Sequence, residues 1–575
     1  MSEITHRGCK ELLFQRMLMA VASSILVQII FMSCVVLITN LNITSPLSWI
    51  EDTLEIITCF RMWCYFTVLA TVIVLQGIIC SKNYLNKPPY AETRFAMFYN
   101  LFTPHNFMVG TLYLTIGIVL VWLHLSLKGD EYNSLTINCT TIYGTCLVEE
   151  YLFLIIGGLW TGIHYFIKTN IFGIQRLQFP IIPQTKFTQI SRGIGLVLPV
   201  SMIGAIWPCL YYLIVYYFIG SYIRGIVASM LFINVDNEPL DQMTKLLNIS
   251  LIFHLWLYAT LFALTMNSMF LLFQVYLTEW MPFAIGQGVY NTSQPIITLS
   301  EALAMKKVPI IQYLGYLDLV TLAQKEKSRR SNLFTLSQPG GHPYNWNCII
   351  VKSLELINEF AKEIDIVCCC KQTMKKSPIE TINYHSEHPY VYHMRNLASP
   401  VPPPVPAASN NPTNPQSFIS GKYIMEFIKT TRRNFINYLL SKPIIFYFFG
   451  TQYDAKINHL LNNGQPVIWA VDGLSSLAVA SLTEDPYGIV QKDLPGIIDA
   501  LVLLKQSLEK LHKMNMLSRK PYHDDKDIRQ MLTSLRAANR RSIYRIIIAF
   551  KEYIDDLILE QPIKDQLQNF FVCKE

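Results

Sequence analysis

Charged residues are scarce in this chain. Only 15% of its 575 residues are Asp, Glu, Lys or Arg, whereas 51% are hydrophobic, and the mean hydropathy is +0.30. Soluble globular domains carry about 25% charged residues, so this composition is unusual for a soluble protein. Because about 20 apolar residues cross a bilayer core, the long stretches without charge predict six transmembrane helices. These stretches run roughly over 17–39, 62–80, 107–127, 151–167, 193–223 and 246–278.

Sequence motifs of catalysis and metal binding are also missing. There is no GxSxG, HExxH or GxxxxGK[ST] pattern and no CxxC pair, which excludes common hydrolase, P-loop and zinc signatures. His124, His164 and His254 fall within the apolar stretches, but no acidic residue accompanies them there. A proton relay needs carboxylates, so we expect these histidines to form hydrogen bonds between helices. The sequence predicts no enzyme and no cofactor.

Two other classes of membrane protein stay open as alternatives. A multi-span transporter would have spans interrupted by glycine or proline at corresponding places in two halves. Pro199 and Pro208 interrupt the fifth apolar stretch, without a matching pair elsewhere. A membrane-bound transferase of the endoplasmic reticulum would have a His or Asp pair at the membrane interface, and we find none.

Basic residues predict the orientation of the chain. They are concentrated in the N-terminal segment and in the second and fourth loops between the apolar stretches, and the other loops hold few. Since basic loops stay in the cytosol, both termini are predicted to be cytosolic. The residues that carry this bias are Arg7, Lys10, Arg16, Lys82, Lys87, Arg94, Lys168, Arg176, Lys186 and Arg192.

The first and third loops would then face an oxidising lumen. Asn42 and Asn138 each begin an Asn-x-Thr sequence, which makes them candidates for glycosylation. Cys139 and Cys146 share the third loop and are candidates for a disulfide. Unoccupied glycosylation sequences and two free thiols remain the alternatives.

A turn-rich stretch, "FTLSQPGGHPYNW", separates two predicted helices that follow the last span. The first helix is "VPIIQYLGYLDLVTLAQ", and the second begins at Trp346 with Asn345 as its N-cap. Pro-Gly favours a type II turn, and the residue before a proline is extended. The stretch therefore predicts a structural elbow rather than a catalytic histidine. It comprises Pro339, Gly340, Gly341, His342 and Pro343.

The rest of the chain is also predicted to be helical, which gives an all-α fold. Four regions follow from the composition: a six-span membrane domain (1–280), a cytosolic helical segment (281–370), a Pro/Asn-rich disordered linker (371–421) and a cytosolic helical domain (422–575). Few contacts are expected across the linker, so the last domain is predicted to fold alone. Pro486 and Pro495 are expected to end helices within it.

One predicted helix, "KYIMEFIKTTRRNFINYLL", has a basic polar side and an apolar side. Lys422, Lys429, Arg432 and Arg433 lie on or beside the polar side, where they would face a membrane or a partner. The apolar side, which includes Phe435, and the aromatic run "KPIIFYFFG" that follows belong either to a membrane interface or to the domain core. Both alternatives stay open.

Several specific stretches resemble one family. They are "IIQYLGYLDLVTLAQ", "SRRSNLFTLSQPGGHPYNW", "IWAVDGLSSLAVASLTEDPYGIVQKDLPGII" and the closing "QNFFVCKE". Over nearly its whole length the chain resembles the Ndc (nuclear division cycle) transmembrane nucleoporins. The resemblance implies a non-enzymatic anchor of the nuclear pore complex in the pore membrane, needed for pore assembly. Its implied partners are the lipid bilayer and soluble nucleoporins, including the propeller protein ALADIN and inner-ring components, with no direct binding of nucleic acid.

Overall fold

A computed structural model describes most of the chain, and the statements below concern the described residues. These are 3–40, 46–85, 91–127, 135–138, 145–172, 177–180, 184–232, 240, 242–286, 297–336, 341–376, 429–432, 435, 438–439, 442–450, 453–517, 525–554 and 556–571.

The fold is all-α, as the sequence predicted. A short antiparallel hairpin of β1 (Thr136–Asn138) and β2 (Thr145–Leu147) pairs Ile137 with Cys146. A π-helical segment, Lys168–Phe172, extends α6, and a 3-10 turn, Asn332–Phe334, follows α13. The described helices, numbered in chain order, are α1 (Glu3–Thr39), α2 (Pro46–Thr58), α3 (Phe60–Leu85), α4 (Arg94–Leu101), α5 (Pro104–Leu127), α6 (Glu149–Ile167), α7 (Lys186–Gly204), α8 (Ile206–Leu231), α9 (Met243–Leu246), α10 (Ile249–Leu277), α11 (Leu299–Leu303), α12 (Pro309–Lys325), α13 (Lys327–Ser331), α14 (Tyr344–Lys376), α15 (Pro443–Phe449), α16 (Tyr453–Asn462), α17 (Gln465–Glu484), α18 (Ile489–Leu517), α19 (Asp525–Ala549) and α20 (Gln561–Phe571).

The first ten helices, which we call the membrane region, contain the predicted spans. Each of the six apolar stretches falls in a helical segment long and apolar enough to cross a membrane. The fifth segment covers 46 residues and consists of α7 and α8, which meet at Ala205. Among the described residues, α17 also has the length and composition of a span, although it packs against α12 and α19. The number of six spans therefore stays a prediction.

Glycines bring α5 and α6 into backbone contact. A Cβ on Gly158 would lie 2.6 Å from the carbonyl oxygen of Gly117, and one on Gly162 would lie 2.6 Å from that of Tyr113. Gly158 and Gly162 are four residues apart, so they lie on the same face of α6. This small-xxx-small spacing is how helices approach closely in lipid, where burial of apolar side chains provides little attraction.

Helices α11–α14 and α16–α20 form a second unit, which we call the C-terminal bundle. Helix α12 packs against α17, α14 packs against α18, and α17 packs against α19. Its centre contains Leu314, Leu319, Leu474 and Leu501, none of which has any exposed surface. Burial of such apolar side chains is the main force that stabilises a helical bundle.

The C-terminal bundle corrects one expectation from the sequence. Few contacts were expected across the 371–421 linker, but buried side chains of 299–368 and 457–570 belong to one hydrophobic cluster. The physical reason is that α12 and α14 each have an apolar face, and α17 and α18 provide the surfaces that cover them. The expectation of few contacts across the linker is therefore wrong, whereas independent folding of residues 422–575 and the four predicted domain bounds stay predictions.

Two helix boundaries also differ from expectation. Helix α14 begins at Tyr344, so Asn345 is not its N-cap, and the Asn345 amide donates instead to the Asn332 carbonyl at 3.3 Å. Pro495 lies inside α18 and does not end it. A proline removes one backbone hydrogen bond and crowds the preceding turn, and in this 29-residue helix the packing of α18 against α14 and α19 outweighs that cost.

Candidate membrane-anchoring and docking surfaces

Polar contacts fix the C-terminal end of α10 to neighbouring helices. The guanidinium of Arg16 on α1 donates to the carbonyl oxygen of Glu279 at 2.8 Å and to that of Leu277 at 3.3 Å. The ammonium of Lys186, the first residue of α7, lies 2.8 Å from the Glu279 carboxylate. Helices α1, α7 and α10 are therefore held together at the level where the chain passes from the membrane region to the C-terminal bundle.

Apolar side chains continue this joint into the C-terminal bundle. Leu13 of α1 and Phe273 and Leu277 of α10 belong to the same hydrophobic cluster as the bundle core. Phe179, between α6 and α7, stacks on Tyr313 with ring centroids 5.6 Å apart and meets Trp469 edge-on at 5.2 Å. The membrane helices and the C-terminal bundle therefore share one core.

A buried ion pair fixes the segment that follows α10. The Asp318 side chain is fully buried, and its Oδ2 accepts hydrogen bonds from the Phe283 backbone N–H at 3.0 Å and from Arg329 at 2.8 Å. Arg329 also donates to the Phe283 carbonyl at 2.7 Å. Both backbone groups of Phe283 are thereby satisfied, which a buried chain segment requires.

A second ion pair joins α13 to the end of α17. Arg330 donates to both carboxylate oxygens of Glu484, each at 2.7 Å, and both side chains are largely buried. These hydrogen bonds hold the pKa of the Glu484 carboxyl below its ordinary value, because they favour the charged form. The pair links segments on opposite sides of the 371–421 linker.

The predicted elbow precedes α14 and is anchored by a tryptophan. Gly341, His342 and Pro343 are described, whereas Pro339 and Gly340 lie outside the described residues. His342 is exposed, its carbonyl accepts from the Tyr344 N–H at 2.8 Å, and its ring lies 3.4 Å from the Asn347 amide. Trp346 is fully buried and donates to Asp493 at 2.8 Å. These contacts give His342 the surroundings of a turn residue; its structural role stays a prediction.

The aromatic run 443–449 forms α15, which packs against α4 of the membrane region. The rings of Phe95 and Phe449 stack 4.7 Å apart, and the Arg94 guanidinium lies 3.8 Å from the centre of the Tyr447 ring. Neither α4 nor α15 buries any residue. Large side chains of both helices, such as Phe98 and Ile444, are more than half exposed. We call α4 and α15 together the aromatic surface.

The basic candidates precede α15 in the chain, and two of the four are described. Lys429 and Arg432 lie in a helical stretch and are exposed, while Lys422 and Arg433 lie outside the described residues. Phe435, which the sequence placed on the apolar side, is 60% exposed. At this position the alternative of a bundle core is not supported. Phe435 is an exposed aromatic residue that follows the basic Arg432 closely in the chain, and this is consistent with the membrane-interface alternative.

The hairpin before α6 contains two of the predicted modification sites. Asn138 ends β1, and Cys146 lies buried in β2 and is disulfide-bonded. Cys139 and Asn42 lie outside the described residues, so the pairing of Cys139 with Cys146 and both glycosylation sites stay predictions.

Of the three histidines that the sequence singled out, His124 forms the expected hydrogen bonds between helices. His124 contacts the Tyr258 hydroxyl at 2.8 Å and the Thr39 hydroxyl at 3.3 Å, and it thereby joins α5 to α10 and α1. His254 bonds to the Ser250 carbonyl at 2.7 Å within its own helix. His164 makes no hydrogen bond with any other described residue, and its ring lies 6.2 Å from that of Tyr211.

Sequence reasoning missed two structural features. The spacing of Gly158 and Gly162 was a readable signal for close packing of α6, because it matches the motif by which helices approach in lipid. The contact of α15 with α4 had no such signal, since the two helices are separated by more than 300 residues.

Together, these features define the class: a multi-span helical membrane protein whose large helical bundle is packed onto the ends of its spans. A model of the family described as nucleoporin protein Ndc1-Nup matches residues 11–568. Nucleoporin NDC1 of Mus musculus is 26% identical and covers 97% of this chain and 96% of its own. Nucleoporin Ndc1 of Drosophila melanogaster is 26% identical over 99% of both chains, and Nucleoporin NDC1 of Xenopus laevis is 24% identical over 100% of both.

The chain belongs to the Ndc1-Nup nucleoporin family. It is a transmembrane nucleoporin of the nuclear pore membrane, a structural component that interacts with the bilayer and with other nucleoporins, and it is not an enzyme. The alternatives of a transporter and a membrane-bound transferase are therefore rejected.

Proposed function

We propose that this protein anchors the nuclear pore complex by presenting the C-terminal bundle as a fixed platform for soluble nucleoporins. The observation that carries the proposal is the core shared by the C-terminal bundle and the membrane helices, which includes Leu13, Phe273 and Leu277. Force on a docked partner passes directly into the spans through this core, without a flexible tether. Partners recruited in this way are an ALADIN-like propeller protein and inner-ring nucleoporins, and their recruitment supports pore assembly.

The docking surface that we propose lies on α19. Arg540, Tyr544 and Ile548 are spaced by four residues, so they share one face, and all three are exposed. Exposed arginine and tyrosine beside an aliphatic side chain are typical of the residues that dominate binding at protein interfaces. The opposite face of α19 is buried through Ile543, Ile546 and Ile547. Changes on the exposed face are therefore expected to spare the fold.

Capture of a purified ALADIN-like propeller protein by the full chain in detergent tests this surface. Replacing both Tyr544 and Ile548 by alanine is expected to weaken capture about tenfold or more, because interface hot spots contribute ~2 kcal/mol or more. Tyr487→Ala is the matched control, since Tyr487 is 61% exposed but lies outside α19. Equal loss in the control, or no loss in the double variant, rejects the α19 surface.

We also propose that both termini of the chain face the cytosol and the pore. This orientation is supported by the basic residues of the second and fourth loops between the apolar stretches, including Arg94 and Lys186. Protease added outside sealed microsomes is expected to digest the C-terminal bundle and to leave the β1–β2 hairpin protected. Protection of the C-terminal bundle in intact microsomes overturns the orientation.

The aromatic surface is proposed to lie in the membrane interface. Phe98 and Phe446 are 58% and 56% exposed, and Arg94 of α4 together with the exposed Lys429 and Arg432, which precede α15 in the chain, are suited to anionic lipid headgroups. A photo-reactive benzoylphenylalanine at position 448 is expected to crosslink to lipid in nanodiscs, whereas one at position 544 is not. Crosslinking to lipid at 544 but not at 448 contradicts this placement.

A further inference from the structure

A cavity of about 250 Å³ lies among α6, α7, α8 and α10 in the membrane region. Its apolar lining includes Val200, Phe262 and Ala263, and its polar lining belongs mainly to α6. The polar lining residues are Thr161, His164, Tyr165, Lys168, Thr169, Ser201 and Asn267. Lys168 is exposed at the C-terminal end of α6, so the cavity joins an apolar wall within the spans to a basic side chain at their end.

Interrupted helices border this cavity. Pro208 of α8 lines it and has no N–H to donate to the carbonyl of Gly204, which also lines it. Helix α6 passes into its π-helical segment at Lys168, on the same side. Prolines and π-helical turns interrupt the regular hydrogen bonds of a helix, and they are frequent where membrane helices bind a ligand.

The charge of the cavity lining is positive. Lys168 is the one charged lining residue, and among the described residues no carboxylate lies within ion-pair distance of it. His164 lies one turn before Lys168 on α6 and makes no hydrogen bond with any described residue. The other polar groups bond within the protein, as the Asn267 amide does to the Ser201 hydroxyl at 2.9 Å. Lys168 and His164 therefore remain for a ligand that carries negative charge.

We infer that this cavity binds one anionic phospholipid, whose phosphate contacts Lys168 and His164 and whose acyl chain lies along Val200, Phe262 and Ala263. The lipid enters from the leaflet at the C-terminal end of α6. Lysine and histidine both donate hydrogen bonds to phosphate oxygens, and the apolar wall accepts hydrocarbon. The site goes beyond the proposed platform, because it lies within the spans and not on the C-terminal bundle.

Two glycines of α7 provide a matched pair of variants. A Cβ on Gly204 or on Gly195 would meet no atom within 4 Å, so a larger side chain starts in open space at either position. Gly204 lines the cavity, whereas Gly195 does not. Gly204→Leu is therefore expected to fill space that the lipid needs, and Gly195→Leu controls for an added leucine on the same helix.

Native mass spectrometry of the full chain in detergent measures the bound lipid. With phosphatidylserine as the probe, the unmodified chain and Gly195→Leu are expected to retain one lipid each, and Gly204→Leu to retain about tenfold less. Elution volume on size-exclusion chromatography shows that each variant is folded. Equal retention by folded Gly204→Leu and Gly195→Leu overturns the site.

The charge of Lys168 is tested separately. Lys168→Gln is expected to lower phosphatidylserine retention about tenfold, because a charge-assisted hydrogen bond is lost, and Lys168→Arg to restore it. Phosphatidylcholine, which is neutral overall, is expected to bind weakly to every variant. If phosphatidylcholine binds as well as phosphatidylserine, or if inorganic phosphate alone displaces the lipid, the inference of an anionic phospholipid site is wrong.

Discussion

The membrane region and the C-terminal bundle are both helical, but they hold their helices together by different means. In the membrane region, α5 and α6 meet through the backbone at Gly117 and Gly158. In the C-terminal bundle, α12 packs on α17 with large side chains, such as Leu319, fully buried in the bundle core. Surrounding lipid is as apolar as leucine, so only close approach and hydrogen bonds favour association there. In water, burial of leucine side chains itself drives the helices to associate.

The polar contacts of the two regions differ as well. The membrane region uses neutral hydrogen bonds, such as that between His124 and Tyr258, and its ion pairs of Glu149 with Arg224 and of Lys186 with Glu279 each involve the first residue of a helix. The C-terminal bundle has ion pairs against its core, of which Asp318 with Arg329 is the most buried. Water at the bundle surface solvates the exposed side of Arg329, whereas lipid offers no such compensation.

Breaking the buried ion pair is expected to have the largest effect. Asp318→Ala leaves the Phe283 N–H without its acceptor and removes the buried carboxylate that faces the Arg329 guanidinium, which costs ~3–5 kcal/mol for a buried pair. Thermal unfolding of the full chain in detergent measures this loss. Glu359→Ala is the control, because Glu359 pairs with Lys306 at an exposed site worth ~0–1 kcal/mol. If the two variants unfold at the same temperature, the bundle does not depend on this pair.

The glycine contact is the corresponding test in the membrane region. Gly158→Leu is expected to destabilise the α5–α6 pair by ~1–3 kcal/mol or more, because its side chain meets the backbone of Gly117. Gly225→Leu on α8 is the control, since a Cβ there meets no atom within 4 Å. The same unfolding assay applies, and equal stability of the two variants argues against backbone packing of α5 and α6.

The elbow tests how much one buried polar contact adds to the C-terminal bundle. Trp346→Phe removes the donor to the half-buried Asp493 carboxylate and shrinks a fully buried ring, and we expect a loss of ~1–3 kcal/mol. The exposed Tyr487→Phe serves as a comparison that should leave the unfolding temperature unchanged. No difference between these two variants means that the tryptophan acts through its ring alone.

The smallest effect is expected from acid. Arg330 lowers the pKa of Glu484 below its ordinary value of 4.5, so the pair stabilises the folded protein above that pH and loses its effect as the pH falls through the folded pKa. Arg330→Gln is expected to lower the unfolding temperature at pH 7, with the difference shrinking below pH 4.5. A difference that stays constant over this range shows that Arg330 acts through packing and not through the ion pair.

Local patterns in the sequence were enough to locate the helices of both regions. The apolar stretches fell within the observed segments because the requirement for apolar residues in lipid acts on every position of a span. The helix "VPIIQYLGYLDLVTLAQ" was likewise found as α12, since an apolar face repeats at helical spacing. The sequence did not predict that α14 begins at Tyr344 or that α18 continues beyond Pro495. At both positions the packing of neighbouring helices outweighed the local signals.

What the sequence determined by itself is the class of protein: the scarcity of charge, the apolar stretches and the family-like motifs established an all-helical transmembrane nucleoporin. What only the tertiary structure decided is which distant segments meet. The bundle core that spans the 371–421 linker, the contact of α15 with α4, and the cavity around Lys168 each join residues far apart in the chain. Such contacts depend on the shapes of several helices at once, and a linear pattern does not record those shapes.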